Sequence, residues 1–183
     1  MIINLFGGPS SGKSTTAAGL FNLLKLKKYK TELVTEFAKD AVYECRNLTL
    51  ENQFYVTAKQ HHRIWRILQY WKERNIDNGI IVTDSPFILG IFYLKENDLA
   101  SKKFKDFLLT EYNKMDNLNI FIRRVKEYDK IGRLQTEDEA REIDKRIYKF
   151  LKENNIPFIE IDGDENAPKN ILKILEENKM ATI

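Results

Sequence analysis

Gly7, Gly8, Pro9, Ser10, Ser11, Gly12, Lys13 and Ser14 follow the order glycine, four free positions, then glycine-lysine-serine. That spacing suits a loop whose glycines let the backbone curl around phosphate oxygens. Several N–H groups and the N-terminus of a following helix then face negative charge. Lys13 would reach the β- and γ-phosphates of a nucleotide, and the Ser14 hydroxyl would help to hold Mg²⁺. With Thr15 added, residues 7–15 are the expected site for ATP and its metal. The flanks agree with this reading. Ile2–Phe6 ahead of the loop reads as a buried strand, and residues 13–28 behind it carry Ala17, Leu20, Phe21 and Leu24 at helical spacing.

Other residues could complete a phosphoryl-transfer site. Asp84 ends an apolar run, Gly79 to Thr83, where it would hold Mg²⁺ through water or orient an acceptor hydroxyl; its other reading is a cap for the turn before Pro86. Glu36 ends a second strand and would serve as base or hydroxyl-orienting group facing the acceptor, or else as a solvated strand-end acid. Segment 119–135 holds Arg123, Arg124, Lys126, Lys130 and Arg133 against Glu127 and Asp129. Guanidiniums closing on the equatorial phosphate oxygens would stabilise the transition state, which makes Arg124 and Arg133 catalytic candidates and the segment a candidate lid hinged at Gly132. Its alternative is a solvated basic connection. Tyr55, Gln60 and Arg63 on a long helix are candidates for the acceptor site, because an amide can pair with a base edge and an aromatic ring can stack on it. Tyr55 also fits a core position. His61 and His62 point to different helix faces and lack acidic or cysteine partners at ligand spacing, so a metal site there is rejected.

The elements that must position these groups follow from periodicity. Strands are expected at 2–6, 31–36, 79–84, 118–123 and 156–162. Helices are expected at 13–28, 37–46, 50–75, 101–114, after the capping box of Thr136 and Glu139, and at 167–178. Phe54, Ala58, Trp65, Leu68 and Trp71 would line the inner side of the long helix, and Phe104, Phe107 and Leu108 that of the next. Alternating strands and helices imply an α/β fold: a parallel sheet with helices on both faces and ligands at the carboxyl ends of its strands. No internal repeat or linker interrupts 1–183, so a single domain is expected.

Composition narrows the class. Hydrophobic residues make up 43% and aromatics 11%, as in ordinary globular proteins, and a net charge of +3 leaves a DNA partner possible without requiring one. Cys45 is the only cysteine, which excludes a disulfide framework and a cysteine-based zinc site. The first apolar run is too short for a signal peptide, and no stretch approaches the roughly 20 apolar residues of a membrane span. A cytoplasmic enzyme with no membrane partner is the expectation; oligomeric state has no signature in the pattern.

The stretch Gly7 to Thr15 resembles the phosphate loops of P-loop nucleoside and nucleoside-monophosphate kinases. The likeness extends to chain size, strand spacing, the basic segment before the helix that opens at Thr136, and the ending Ile161-Asp162-Gly163 followed by a helix. Thymidylate-kinase-like enzymes and the nicotinamide riboside kinase group share that ending, and small phage kinase-like ATPases resemble the chain at Glu36 and at Asp84-Ser85-Pro86. The resemblance implies a three-layer fold with strand order 2-3-1-4-5 and a loop after strand five that borders adenine. It also implies γ-phosphate transfer from ATP to a nucleoside or nucleoside monophosphate. Ser85 and Pro86 stand where deoxynucleoside and thymidylate kinases tend to carry an arginine. A kinase of a hydroxymethylated pyrimidine within DNA, and a P-loop ATPase or switch without a small acceptor, are the alternative expectations.

Overall fold

Every residue of β1 (Ile2–Phe6) is buried, because this strand lies at the centre of the sheet with both faces covered. The computed structural model describes residues 1–94, 99–125, 127–128 and 136–180, the last three of these without their side chains. Strands β2 (Thr31–Val34), β3 (Ile80–Thr83), β4 (Asn117–Arg123) and β5 (Ile159–Asp162) complete an all-parallel sheet of order β2-β3-β1-β4-β5. This is the expected fold class and order.

Alternation along β1 divides the core. Ile3 and Leu5 face α1 (Lys13–Leu26) and α7 (Ala167–Met180), packing with Leu20, Leu24, Ile171 and Leu175. Ile2 and Phe6 face the other layer, which is built from α4 (Gln53–Glu73), α5 (Leu99–Asn113) and α6 (Glu137–Glu153) and contributes Ile64, Leu108, Ile147 and Phe150. The two short helices α2 (Phe37–Tyr43) and α3 (Asn47–Glu51) stand between β2 and α4. The capping box of α6 forms as expected: Glu139 N–H donates to Thr136 Oγ1 at 3.3 Å, and Thr136 N–H to Glu139 Oε2 at 2.7 Å.

Several element boundaries differ from the sequence expectation, each for a local reason. β2 stops at Val34 because the Thr35 carbonyl is taken by Gln60 Nε2 at 3.3 Å and Arg63 Nη1 at 3.0 Å. β5 starts only at Ile159. Pro157 has no N–H for the ladder, and its carbonyl accepts from Asn119 Nδ2 at 2.9 Å. The helix expected over 50–75 is two helices, because Asn52 caps α4 by accepting the Tyr55 N–H at 3.1 Å. A 3₁₀ stretch at Phe87–Tyr93 was not anticipated.

The inner face of α4 is also rotated from expectation. Val56, Thr57, Gln60 and Ile64 are buried, Leu68 and Trp71 pack at the core margin, and Phe54 and Trp65 are each 44% exposed. The first half of this helix borders a cleft and the end of β2 instead of the core, so its buried side chains are partly polar and escape an apolar pattern. On α5, Leu108 is buried while Phe107 is exposed and stacks on Phe104.

A buried polar cluster fixes the β1–β4 register. Asn4 and Asn119 are register partners, and Asn4 Nδ2 donates to Asn119 Oδ1 at 3.1 Å and to Asn117 Oδ1 at 2.9 Å. Tyr112 donates its hydroxyl to the same Asn119 oxygen, and burial pushes this phenol well above its usual pKa. Replacing Asn119 by Ala removes the acceptor of the buried Tyr112 hydroxyl and the donor to the Pro157 carbonyl, while Asn4 keeps Asn117. At about 1–3 kcal/mol for a buried group left unsatisfied, Asn119→Ala should lose about 3 kcal/mol of stability in urea unfolding.

Candidate active site

All five strands deliver a turn to the same end of the sheet. Gly7 follows β1, Glu36 lies just past β2, Asp84 follows β3, Arg124 follows β4 and Gly163 follows β5. This is where open parallel sheets place ligands.

The phosphate loop adopts backbone angles that explain its glycines. Gly7 has φ +142° and Gly12 φ +102°; a methyl group on Gly7 would lie 2.6 Å from Ser11 Oγ, and one on Gly12 3.1 Å from the Gly163 carbonyl oxygen. Helix α1 starts at Lys13 with no side chain capping it and no acid in its first turn, so its leading N–H groups are oriented for an anion. The Ser11 hydroxyl and Asp84 Oδ1 are buried without a hydrogen-bond partner. Lys13 Nζ donates to the Gly8 carbonyl at 2.7 Å. A loop of this shape, with a lysine, a hydroxyl and a carboxylate around it, fits a magnesium-bound triphosphate.

A cleft of about 500 Å³ opens from this loop, lined at one end by Gly7, Pro9, Ser10, Gly12, Lys13, Ser14 and Thr15. It passes Glu36, which also heads α2, and continues between Val42, Leu50, Val56, Phe87, Leu89 and Phe92. Gln53, Thr57, Gln60 and Tyr93 add polar atoms to that inner part.

The structure sorts the sequence candidates. Lys13, Ser14, Glu36 and Gln60 line one cavity. Gln60 spends much of its amide on the backbone, accepting the Phe37 N–H at 2.8 Å and donating to Thr35; it thereby fixes the turn that carries Glu36. Asp84 is 5% exposed, lies one residue beyond the Asn4–Thr83 register pair on the strand next to β1, and is not part of the cleft lining. Tyr55 points away from the cleft lining, 41% exposed with its ring edge-on to Phe37. Arg63 also lies outside the lining and braces Thr35 and Asp40, the latter at 2.5 Å.

In the expected lid, residues 119–123 belong to β4, and Arg123 pairs with Asp162 at 2.9 Å across the β4–β5 edge. Arg124 is buried behind the loop and bonded to Asp144, outside the cleft lining. Glu127 lines the cleft, whereas Lys126, Lys130, Gly132 and Arg133 lie outside the described residues.

Sequence reasoning did not single out Gln53, Thr57, Phe87 or Asp144. Thr57 and Gln53 interrupt the apolar face of α4, which is the one signal that could have marked them. Among the described residues no cluster of metal-ligating side chains occurs, and no helix is long and apolar enough to cross a membrane.

The family model described as an AAA domain matches residues 2–167. The chain belongs to the AAA-domain family. No curated protein matches the sequence of this AAA-domain chain. Its fold is similar to that of deoxyadenosine kinase from M. mycoides. The structure of that enzyme with bound dCTP aligns at TM-score 0.58 and 20% identity, covering 100% of both chains. The form with dATP gives TM-score 0.58 and 20% identity over 96% of this chain and 100% of that one. The form with dCMP and a flexible dCDP gives 0.54 and 21% over 100% of both. The AAA-domain chain therefore shares its overall fold with those deoxyadenosine kinase structures.

Two outcomes follow from this geometry. Gly163 packs against the loop so closely that a methyl group would lie 2.4 Å from the Ser11 carbonyl oxygen and 2.8 Å from Ile122 Cγ2. Gly163→Ala should push the loop out of shape and weaken MgATP affinity at least tenfold in calorimetry, with unchanged far-ultraviolet circular dichroism. His61 lies edge-on to Phe87 at 5.0 Å, and burial lowers its pKa, with Glu111 raising it to a lesser extent. The neutral ring is the folded form, so its contribution is full above the ordinary histidine value of about 6.5 and is lost as pH falls below it. His61→Gln should lose less stability than the parent between pH 7 and 5 in urea titrations.

Proposed function

We propose that this AAA-domain protein is an ATP-dependent phosphotransferase that moves the γ-phosphate of ATP onto the hydroxyl of a nucleoside. The observation that carries this reading is the continuity of one cleft from Lys13 and Ser14, past Glu36, into a compartment of apolar side chains and neutral amides. A flat base between Phe87, Val56 and Leu89 with a few polar partners suits such walls. The described cations of the lining are Lys13 and Lys39 alone. Lys13 is committed to the triphosphate, so among the described residues the inner compartment has no guanidinium fork of the kind a second phosphate-bearing substrate would call for. That favours a nucleoside over a nucleoside monophosphate, and the deoxyadenosine kinase fold is consistent with it.

In this reading Lys13 and the N–H groups at the head of α1 neutralise the charge that grows on the phosphate oxygens. Ser14 and Asp84 would hold Mg²⁺, which when bound would withdraw charge from the phosphates. Glu36, held by the Gln60-braced turn, accepts the proton of the acceptor hydroxyl. As that oxygen bonds to phosphorus, the bond to the β–γ bridging oxygen breaks and ADP leaves. One domain carries out the cycle. Of the lid expected over 119–135, the part within β4 and Arg124 is fixed in the fold, and the closing role falls to the basic residues beyond them, with Arg133 as the cation that closure would deliver.

The test is transfer from labelled ATP across a panel of nucleosides, nucleoside monophosphates and a hydroxymethylcytosine-containing duplex. A phosphorylated nucleoside is the expected product. Lys13→Ala should lose at least a thousandfold in kcat/KM, about 4 kcal/mol. Glu36→Gln should lose about a hundredfold in kcat and keep its ATP affinity. Phosphate release from ATP that no member of the panel accelerates would overturn the kinase reading and favour an ATPase or switch.

A further inference from the structure

A carboxylate and a guanidinium hold the phosphate loop from behind. Asp144, on α6, accepts the Gly8 N–H with Oδ1 at 2.5 Å. Its other oxygen accepts from Arg124 Nε at 3.0 Å and lies 2.9 Å from Nη2. Arg124 Nη2 also donates to the Pro9 carbonyl at 2.7 Å, and its side chain is only 5% exposed. Gly8 is needed for this approach, since a methyl there would lie 2.5 Å from the Ala140 carbonyl oxygen.

We propose that Asp144 and Arg124 are positioning residues that set the shape of the phosphate loop through the Gly8–Pro9 unit. The peptide preceding Gly8 is turned so that its N–H faces Asp144, Pro9 has no N–H to offer, and the Pro9 carbonyl is tied to Arg124. The first arm of the loop is thereby anchored outward. The head of α1, which no side chain caps, is left to face the ligand. Lys13, whose ammonium rests on the Gly8 carbonyl, takes its starting position from the same anchored unit. Both residues act through the loop and neither lines the cleft, so this role differs from the direct transition-state contact expected for Arg124. In this buried ion pair both Asp144 oxygens and the Nε and Nη2 of Arg124 are engaged while Nη1 is left without a hydrogen-bond partner, and the engaged atoms are a strong constraint on two backbone groups.

Two variants test the pair. Asp144→Asn keeps the shape but has one carbonyl oxygen where Gly8 and Arg124 now use two. Arg124→Lys keeps the charge but loses the planar fork that joins Asp144 to Pro9. The first readout is the Gly8 amide proton resonance of the nucleotide-free protein, which should move upfield in Asp144→Asn. The second is the split between substrates. The MgATP dissociation constant should rise at least tenfold in either variant, while KM for the accepted nucleoside stays within twofold. A Gly8 resonance that does not move, or ATP affinity within twofold of the parent, overturns the proposal. Should Asp144→Asn not fold, Arg124→Lys is judged on the same two readouts. The ATP arm rests on the kinase reading, whereas the Gly8 resonance does not. A parent protein that binds ATP but phosphorylates no nucleoside would sink that reading and leave the clip to be judged on its own measurements.

Discussion

A phosphate-binding loop has to present several backbone N–H groups to one point while satisfying its other polar atoms elsewhere. In this protein that requirement organises the carboxyl end of the sheet. Gly7 and Gly12 take left-handed backbone angles and fold against Ser11 and Gly163, with no room for a side chain at Gly7 and little at Gly12. Gly8 gives its N–H to Asp144 and its carbonyl to Lys13. What remains is a concave backbone surface at the head of α1, whose uncapped N-terminus adds the helix dipole to the same point.

The rest of the molecule serves this geometry unequally on its two faces. The layer of α1 and α7 is an apolar packing of Ala, Leu and Ile side chains against the central strands, and it holds α1 rigid beneath the loop. The opposite layer is rich in aromatic rings and bears the cleft, between the sheet and the first half of α4. Thr57 and Gln60 are buried there on a helix that becomes apolar further along. The polar ladder of Asn4, Asn119 and Tyr112 crosses the sheet on this same face and locks β1 to β4 in one register. A slip of one residue would exchange the two faces of a strand. It would carry the loop after β1 away from Arg124 after β4.

Positions on the chain were legible wherever one residue type has one physical use. The glycine spacing, Lys13 and Ser14 marked the loop, and Thr136 with Glu139 marked the start of α6. Glu36 was legible as a strand-end acid and lies in the cleft with Lys13. Tyr55 and Arg63 carry suitable chemistry, but the phase of α4 turns both out of the cleft lining, where Arg63 braces Thr35 and Asp40. Helical periodicity fixes which residues share a face. It does not say whether that face meets a core or a cavity.

The sequence alone determined that a strand, a glycine loop and a helix follow one another at the N-terminal side, and that alternating strands and helices build a parallel sheet. Each of these depends on local spacing and backbone freedom. The tertiary structure decided which distant side chains reach the loop. Asp144 lies far along the chain from Gly8 on an amphipathic helix, half-hidden among charged neighbours, with nothing in its flanking pattern to separate it from a solvated acid. Its role arises only because β4 sits beside β1, which brings Arg124 and then α6 against the back of the loop. Contacts between segments remote in sequence follow from strand order and helix packing, and neither is written in the spacing of residues within one segment.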